Sequence, residues 1–319
     1  MKPFLIGIAA LAVCVLVHAQ EFPARPVRIV VPWPPSGNVD ITARTVAPAL
    51  GEALGQQVIV DNRAGAAGTI GSAAVAKSPP DGYTLLLGSS GTITAGPAVF
   101  KSPPYDPLRD FVAVGGIQSV PIVLTAAPKT PVSTYAEFVS LANSKKGQLS
   151  IASAGSGSSN HLAIELLMRM ADLKLLHVPY KGSGPAITDL LGSQVESMMD
   201  QLTASIGHIR EGRIKALAIS SRSRSPLLPN VPTLDELGVK GYEASTFTGL
   251  FAPSSTPRPL VEKLGAALKK ALANETVRER YRGMGVEIID MTQSEFDGYV
   301  RADFEKWRRV AREGNIVVE

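Results

Sequence analysis

The chain has 319 residues, 32 Lys and Arg against 28 Asp and Glu for a net charge of +4, and is 45% hydrophobic and 19% charged. This is a globular composition with length for one large domain or two ordinary ones, and its basic residues form no run, which excludes a nucleic-acid footprint. An aromatic share of 6% argues against a cage of rings for sugars or quaternary amines.

The first nineteen residues differ from the rest. Lys2 leads into the apolar stretch Phe4 to Val17, and Val17-His18-Ala19 closes it with residues a signal peptidase accepts. Cleavage after Ala19 and export to the periplasm are expected. The stretch is shorter than the ~20 residues of a membrane span, and no other stretch approaches that length. Cys14, the only cysteine, lies in this leader, and Val13 stands where a lipoprotein site wants a small residue. The mature chain is thereby expected to lack disulfides, thiolate metal sites and cysteine catalysis.

From Val27 onward short apolar runs alternate with helical periods. Val27 to Val31 reads as a strand, Pro32 to Gly37 as a turn, Asn38 to Leu54 as a helix that Pro48 should interrupt, and Gln57 to Asp61 as the next strand. Two strands joined by a helix make a parallel, right-handed unit. The rhythm continues with a helix over Thr69 to Lys77 and strands over Tyr83 to Leu87, Val112 to Ile117 and Ile122 to Ala126. Thr134 and Glu137 mark a capping box. Strands Leu149 to Ser153, Lys174 to Val178, Gln194 to Met199 and Ile214 to Ser220 alternate with helices Ser159 to Ala171, Pro185 to Leu191 and Ala204 to Arg210. The C-terminal end is helical, with Leu260, Leu264, Leu268 and Leu272 in one stripe. A last helix is capped by Thr292 and Glu295, and its core face is Phe296, Tyr299, Val300, Phe304, Trp307 and Val310. The class is α/β.

The same local grammar occurs twice. A strand, a Gly/Ser/Pro loop and a helix follow one another at Val31 to Asn38 and again at Ser153 to His161. Each loop delivers a helix N-terminus at the carboxyl end of a strand, where open α/β sheets bind ligands. Free N–H groups and the helix dipole suit such a terminus to an anion without any cationic side chain. Two facing termini would clasp a carboxylate.

PWPPSGNVDITAR (Pro32 to Arg44), NRAGAAGTIG (Asn62 to Gly71), PPDGYTLLLG (Pro79 to Gly88), SAGSGSSNHLAIE (Ser153 to Glu165), VPYKGSGPAITDLLGSQVESMMD (Val178 to Asp200) and LPNVPTLDELGVKGYE (Leu228 to Glu243) follow in order along the mature chain. In these six segments the chain resembles the Bug family, the extracytoplasmic solute-binding subunits of tripartite tricarboxylate transporters. It departs at Ser36, where a second Gly is usual, at Ile164, where Gly is common, and at Met199, where Phe is common. Beside an expected pocket, these departures put the ligand class in question.

The resemblance implies a two-lobed periplasmic-binding-protein (Venus flytrap) fold, type II-like, each lobe a mostly parallel sheet flanked by helices. Two interlobe crossovers divide residues 20–120 plus 247–319 from residues 121–246. It implies a monomer that takes a small organic carboxylate (a dicarboxylate, tricarboxylate, acidic amino acid or aromatic acid) and docks on membrane subunits of a transporter, with no cofactor and no catalysis. The site implied comprises Pro35, Ser36, Gly37 and Asn38 in the first loop, and Ser89, Ser90 and Thr92 after the third strand. Ser156, Gly157, Ser158, Ser159 and Asn160 in the second loop, with Tyr180 and Asp200, complete it; a carboxylate at Asp200 needs a donor, which loop N–H groups or a ligand hydroxyl or amine would supply. Asp40 and Arg44 read as an ion pair supporting the first helix, His161 as a support of the second loop, and Trp33 as packing or a stacking ring.

A receptor signalling to a membrane sensor needs the same closure and is the alternative. An exported hydrolase is disfavoured, because Gly88-Ser89-Ser90-Gly91 and Gly155-Ser156-Gly157 miss the nucleophile spacing and His161, His177 and His208 show no evident triad. His161 and Glu165 lack further ligands of metal-site spacing, and the phosphate-loop patterns are incomplete.

Overall fold

The structure is a computed structural model and describes residues 22–318. The expected leader with Cys14 and the cleavage point after Ala19 lie outside these residues. In chain order the first elements are β1 (Val27–Val31), α1 (Asn38–Leu54), β2 (Val58–Asn62), α2 (Thr69–Ala76), β3 (Thr84–Ser89), α3 (Ala95–Val99) and β4 (Phe111–Val120). There follow β5 (Ile122–Ala126), α4 (Tyr135–Ser144), β6 (Ser150–Ser153), α5 (Ser159–Met170), β7 (Leu176–Pro179), α6 (Ser183–Leu191), β8 (Ser197–Gln201), α7 (Leu202–Arg210) and β9 (Lys215–Ile219). The chain ends with β10 (Thr246–Pro253), α8 (Arg258–Leu272), α9 (Glu275–Gly283), β11 (Glu287–Ile288) and α10 (Gln293–Gly314).

Two mixed sheets result, ordered β11-β4-β10-β3-β1-β2 and β7-β6-β8-β5-β9. In the first, β1 pairs in parallel with β2 and β3, while β10 inserts antiparallel between β3 and β4. In the second, β6 pairs in parallel with β7 and β8, and β5 lies antiparallel between β8 and β9. Strand direction is thus mostly uniform, and the exceptions include the strands that receive the chain as it arrives from the other sheet. Only Pro121 separates β4 from β5, and the return runs from β9 to β10. Thr246 pairs with Val120, so the two crossings lie side by side.

Both sheets are covered on both faces, which is why their strands read as apolar runs rather than as alternation. Ile29, Leu85 and Leu87 face α1 and α8, while Val30, Leu86 and Phe251 face Phe296 of α10. The extreme case is β10, buried along its whole length and holding Gly249 and two Thr within Thr-Phe-Thr-Gly-Leu-Phe-Ala-Pro. Neither period is present there, and the sequence reading contains no strand at that position. The end of α10 behaves differently from its start. Trp307, Val310 and Ala311, with Ala95 and Val99, enter the core of the second sheet beside Leu162, Leu166 and Leu167 of α5. Asp303 lies on that buried face, where its Oδ2 accepts a 2.6 Å bond from Thr94.

Both capping boxes form: Glu137 N–H donates to Thr134 Oγ1 at 3.2 Å, and Glu295 N–H to Thr292 Oγ1 at 3.3 Å. The expected interruption at Pro48 does not occur, and α1 runs unbroken through it. Pro48 and Arg44 are exposed, so the Arg44 carbonyl that loses its N–H partner faces water. Replacing Pro48 with Ala restores that helical bond and relieves the ring's crowding. Pro48→Ala is expected to stabilise the fold by about 1–2 kcal/mol in urea unfolding, the gain being trimmed by the freer unfolded chain; a loss of stability would contradict this account of the helix.

Candidate ligand-binding site

One narrow cavity collects the carboxyl ends of strands from both sheets. The first sheet contributes Trp33, Pro34, Gly37, Asn38 and Val39 from the loop after β1, Ser89 from the end of β3, and Thr246 from the start of β10. Facing them are Ala154, Ser158, Ser159 and Asn160 after β6, Gly182 and Ser183 after β7, and Gln201 at the end of β8. None of these residues is ionisable. The N-termini of α1, α5 and α6 all open here, so the positive ends of three helix dipoles and their free N–H groups replace cationic side chains.

The walls touch. A Cβ on Gly182 would lie 2.8 Å from the Pro34 ring, and Gly182 holds φ +122, so only glycine suits this contact. A Cβ on Gly91 would sit 3.1 Å from the Trp33 ring and 3.5 Å from the Ser159 nitrogen, the turn after β3 thus pressing against the opposite wall.

Each loop is held from behind by charged or titratable groups that stay out of the cavity. Asp40, buried at the start of α1, accepts from Arg44 Nε at 3.0 Å, from Ser36 N–H at 2.9 Å and from Asn62 Nδ2 at 2.9 Å. Asn62 Nδ2 also donates to the Trp33 carbonyl at 3.1 Å, tying the loop to β2. Burial alone would raise the Asp40 carboxyl, but these hydrogen bonds outweigh it and hold it below its ordinary value. Its stabilising contribution is therefore present above the unfolded value of 3.8 and is lost as pH falls through the lower folded value.

The second loop turns sharply at Gly155 and Gly157, with φ of +132 and +81. Ser158 caps α5, accepting from His161 N–H at 3.2 Å and donating to the Gly155 carbonyl at 2.6 Å. His161 Nδ1 accepts from Gly157 N–H at 3.2 Å, the loop support expected of it, and its ring stacks at 4.3 Å on His177. His177 shares a 2.6 Å hydrogen bond with Ser153 Oγ, which in turn accepts from Gly155 N–H. Burial, and then the neighbouring His161, push His177 down to about 4, so it is neutral at physiological pH.

Behind Ser183 and Asn160 lies Asp200, with no exposed surface. Its Oδ1 accepts from Ser183 Oγ at 2.7 Å and from Asn160 Nδ2 at 2.9 Å, and the Gln201 N–H and the Ser205 hydroxyl lie near enough to favour its ionised form as well. Burial pushes its carboxyl up to about 6 against the pull of these donors. Asn160 and Gln201 bond each other in both directions, at 3.0 and 3.4 Å, which fixes the floor of this wall.

The sequence-derived residues divide into two groups. Gly37, Asn38, Ser89, Ser158, Ser159 and Asn160 line the cavity together. Pro35, Ser36, Ser90, Thr92, Ser156, Gly157, Tyr180 and Asp200 do not. Pro35, Ser36 and Ser156 are exposed at the outer tips of their turns, and the Ser36 N–H is already taken by Asp40. Ser90 Oγ accepts from Phe247 N–H, Thr92 Oγ1 accepts from Ser89 N–H, and Gly157 lies under the Phe100 ring. The Tyr180 hydroxyl is directed to Asp189 at 2.7 Å. The three departures noted above also stay out of the cavity, since Ser36 is exposed and Ile164 and Met199 are fully buried in the core of the second sheet.

Ser183, Gly182, Gln201 and Thr246 were not reached from the sequence. Gly182 and Ser183 repeat the strand-loop-helix grammar a third time, at Val178 to Pro185, and that signal was available. Nothing local marks Gln201 or Thr246, whose strands end or begin at the cleft only because of sheet order. No group of three or more His, Cys, Asp or Glu side chains among the described residues is arranged to hold a metal ion.

Residues 42–316 match the model of the tripartite tricarboxylate transporter family receptor. The chain is 38% identical over 309 residues to the protein BugT of Bordetella pertussis, covering 97% of this chain and 95% of that one. Among solved structures, the periplasmic binding protein BugD superposes with a TM-score of 0.90 at 35% identity, covering 93% of this chain and all of that one. MatC from Rhodopseudomonas palustris with bound malate superposes with a TM-score of 0.87 at 36% identity, covering 91% and 99%.

An acid whose folded value lies above its unfolded one favours folding at low pH and opposes it above the folded value. Ionised Asp200 therefore costs the fold about 3 kcal/mol above pH ~6, a cost relieved as pH falls towards 3.8. Asp200→Asn is expected to be more stable than the parent by up to that amount in urea unfolding at pH 8, with the advantage shrinking by pH 4. An equal difference at both values would mean that Asp200 is not an ionised buried acid.

Proposed function

Because the chain belongs to the tripartite tricarboxylate transporter receptor family, we propose that it captures a small carboxylate between two lobes in the periplasm and hands it to the membrane subunits of such a transporter. The observation that carries this reading is a cleft where helix N-termini from the two sheets, those of α1 and α5, converge, lined by no ionisable side chain. A carboxylate entering it exchanges water for N–H groups, hydroxyls and amides already oriented by the fold. Each helix terminus contributes about 0.3–1 kcal/mol at an exposed site and more when partly buried. The relative with bound malate supports the same ligand class.

The two lobes divide at the paired crossings, residues 20–120 plus 247–319 forming one and residues 121–246 the other, with the end of α10 strapped onto the second. Gly37, Asn38 and Ser89 on the first wall, and Ser158, Ser159, Asn160, Ser183 and Gln201 on the second, are the contacts we assign to the ligand. Closure of one wall on the other shields the ligand from water, and opening at the crossings releases it. The chain acts as a monomeric binding protein without turnover. The leader directs export and is then removed after Ala19, and no helix among the described residues is long and apolar enough to cross a membrane.

Thermal unfolding of the exported protein against aliphatic dicarboxylates, citrate, acidic amino acids and aromatic carboxylates tests this reading. A ligand at a hundred times its dissociation constant adds about 2.7 kcal/mol of stability. The bound ligand is also expected to change the emission of Trp33, which lines the cavity, while Trp307, fully buried in α10, stays silent. Trp33→Phe should abolish the fluorescence response. No stabilisation by any carboxylate, in a folded protein free of co-purified ligand, would refute the ligand class.

A further inference from the structure

The cavity's hydroxyls and amides are not interchangeable, because their hydrogen-bond capacity is already partly spent. Asn38 Oδ1 accepts from Gln118 Nε2 at 2.9 Å, which leaves the Asn38 amide N–H to donate. Ser89 Oγ accepts from Trp33 Nε1 at 3.3 Å and Ser159 Oγ from Gln201 Nε2 at 3.3 Å, which leaves both O–H groups to donate. With the N-termini of α1 and α5, these groups form a donor-rich region suited to a carboxylate.

Ser183 is the opposite case. Its proton is committed to Asp200 Oδ1 at 2.7 Å, so its oxygen offers the cavity only lone pairs. Thr246 likewise spends its proton on the Val120 carbonyl at 3.3 Å. Asp200 behind Ser183 is fully enclosed, and it places a negative charge against the first residue of α6. A ligand carboxylate on this side would be repelled, whereas a ligand donor would complete the bond. We propose that Ser183, backed by Asp200, is an acceptor subsite that selects carboxylates carrying a hydroxyl or ammonium group over the same skeleton without one. This rests on the carboxylate reading above and makes Ser183 a specificity-determining residue and Asp200 a positioning one.

The test is calorimetric titration of the protein, expressed as the full chain and purified from the periplasm, with matched ligands: succinate, malate and aspartate; tricarballylate and citrate; phenylacetate and mandelate. In at least one set the donor-bearing member should bind about tenfold or more tightly than its plain counterpart, the worth of one well-placed hydrogen bond. Ser183→Ala should bring that ratio to within about twofold while leaving the plain ligand's affinity nearly unchanged, an outcome that a merely structural role for Ser183 would not produce. Malate and aspartate separate the two donors. Asp200→Asn, which keeps the volume and removes the charge, should lower the aspartate-to-succinate ratio more than the malate-to-succinate ratio. Equal binding within every set, or a preference that survives Ser183→Ala, overturns the proposal. If only plain carboxylates from the thermal screen bind, the donor selection fails and the carboxylate reading stands; if no carboxylate binds, both fail.

Discussion

A cleft without cationic side chains can hold an anion only by fixed dipoles, and that constraint shapes how this one is built. Backbone N–H groups act as such dipoles when they are aimed before the ligand arrives, since reorientation would consume the gain. Aiming is achieved from behind. Asp40 with Arg44 and Asn62 anchors the loop after β1, His161 braces Gly157, and Asp200 gathers Ser183 and Asn160. Charge is thus used to shape the cleft and is kept out of it. The ion pairs and buried acids that surround the cavity make sense as scaffolding that sets which uncharged groups donate and which accept.

The same requirement explains why the walls come from two sheets. Helix N-termini from one sheet all point the same way, so opposing termini need a second sheet whose carboxyl ends face the first. The chain supplies it by crossing at Pro121 and returning before Thr246, with the Thr246–Val120 pairing keeping the two links together. The last helix adds a tether across this joint, with Phe296 and Val300 in the core of the first sheet and Trp307 and Val310 in that of the second. Lys306 reaches Glu243 in the returning segment at 2.6 Å, placing an ion pair beside the joint. The buried Asp303–Thr94 bond sits on the same helix.

Ser36 illustrates how a local rule and a global need meet. It occupies φ +68, a left-handed conformation that glycine adopts without strain, and the resemblance had marked the position as one where Gly is usual. The conformation is retained because it turns the Ser36 N–H onto Asp40 and so completes the anchor of the first loop. The side chain itself points to solvent, which is why a change of residue there leaves the cavity lining untouched.

The sequence by itself determined the alternation of strand and helix, the two capping boxes, and the loops after β1 and β6 as helix-starting turns, since these depend on neighbours within a few residues. It also carried the family resemblance, through six motifs in order. It did not reveal β10, because two Thr and Gly249 break the apolar run by which the other doubly covered strands are read, and it placed an interruption at Pro48 because exposure to water is not visible in the chain. Only the tertiary structure decided which polar residues meet. Gln201 at the end of β8 and Thr246 at the start of β10 share the cleft through sheet order alone, while Tyr180 and Asp200, equally plausible as residues, are committed to Asp189, Ser183 and Asn160. Periodicity and capping are short-range and written locally; the hydrogen-bond partner that leaves a hydroxyl as donor or acceptor is a long-range contact, fixed only when the chain has folded.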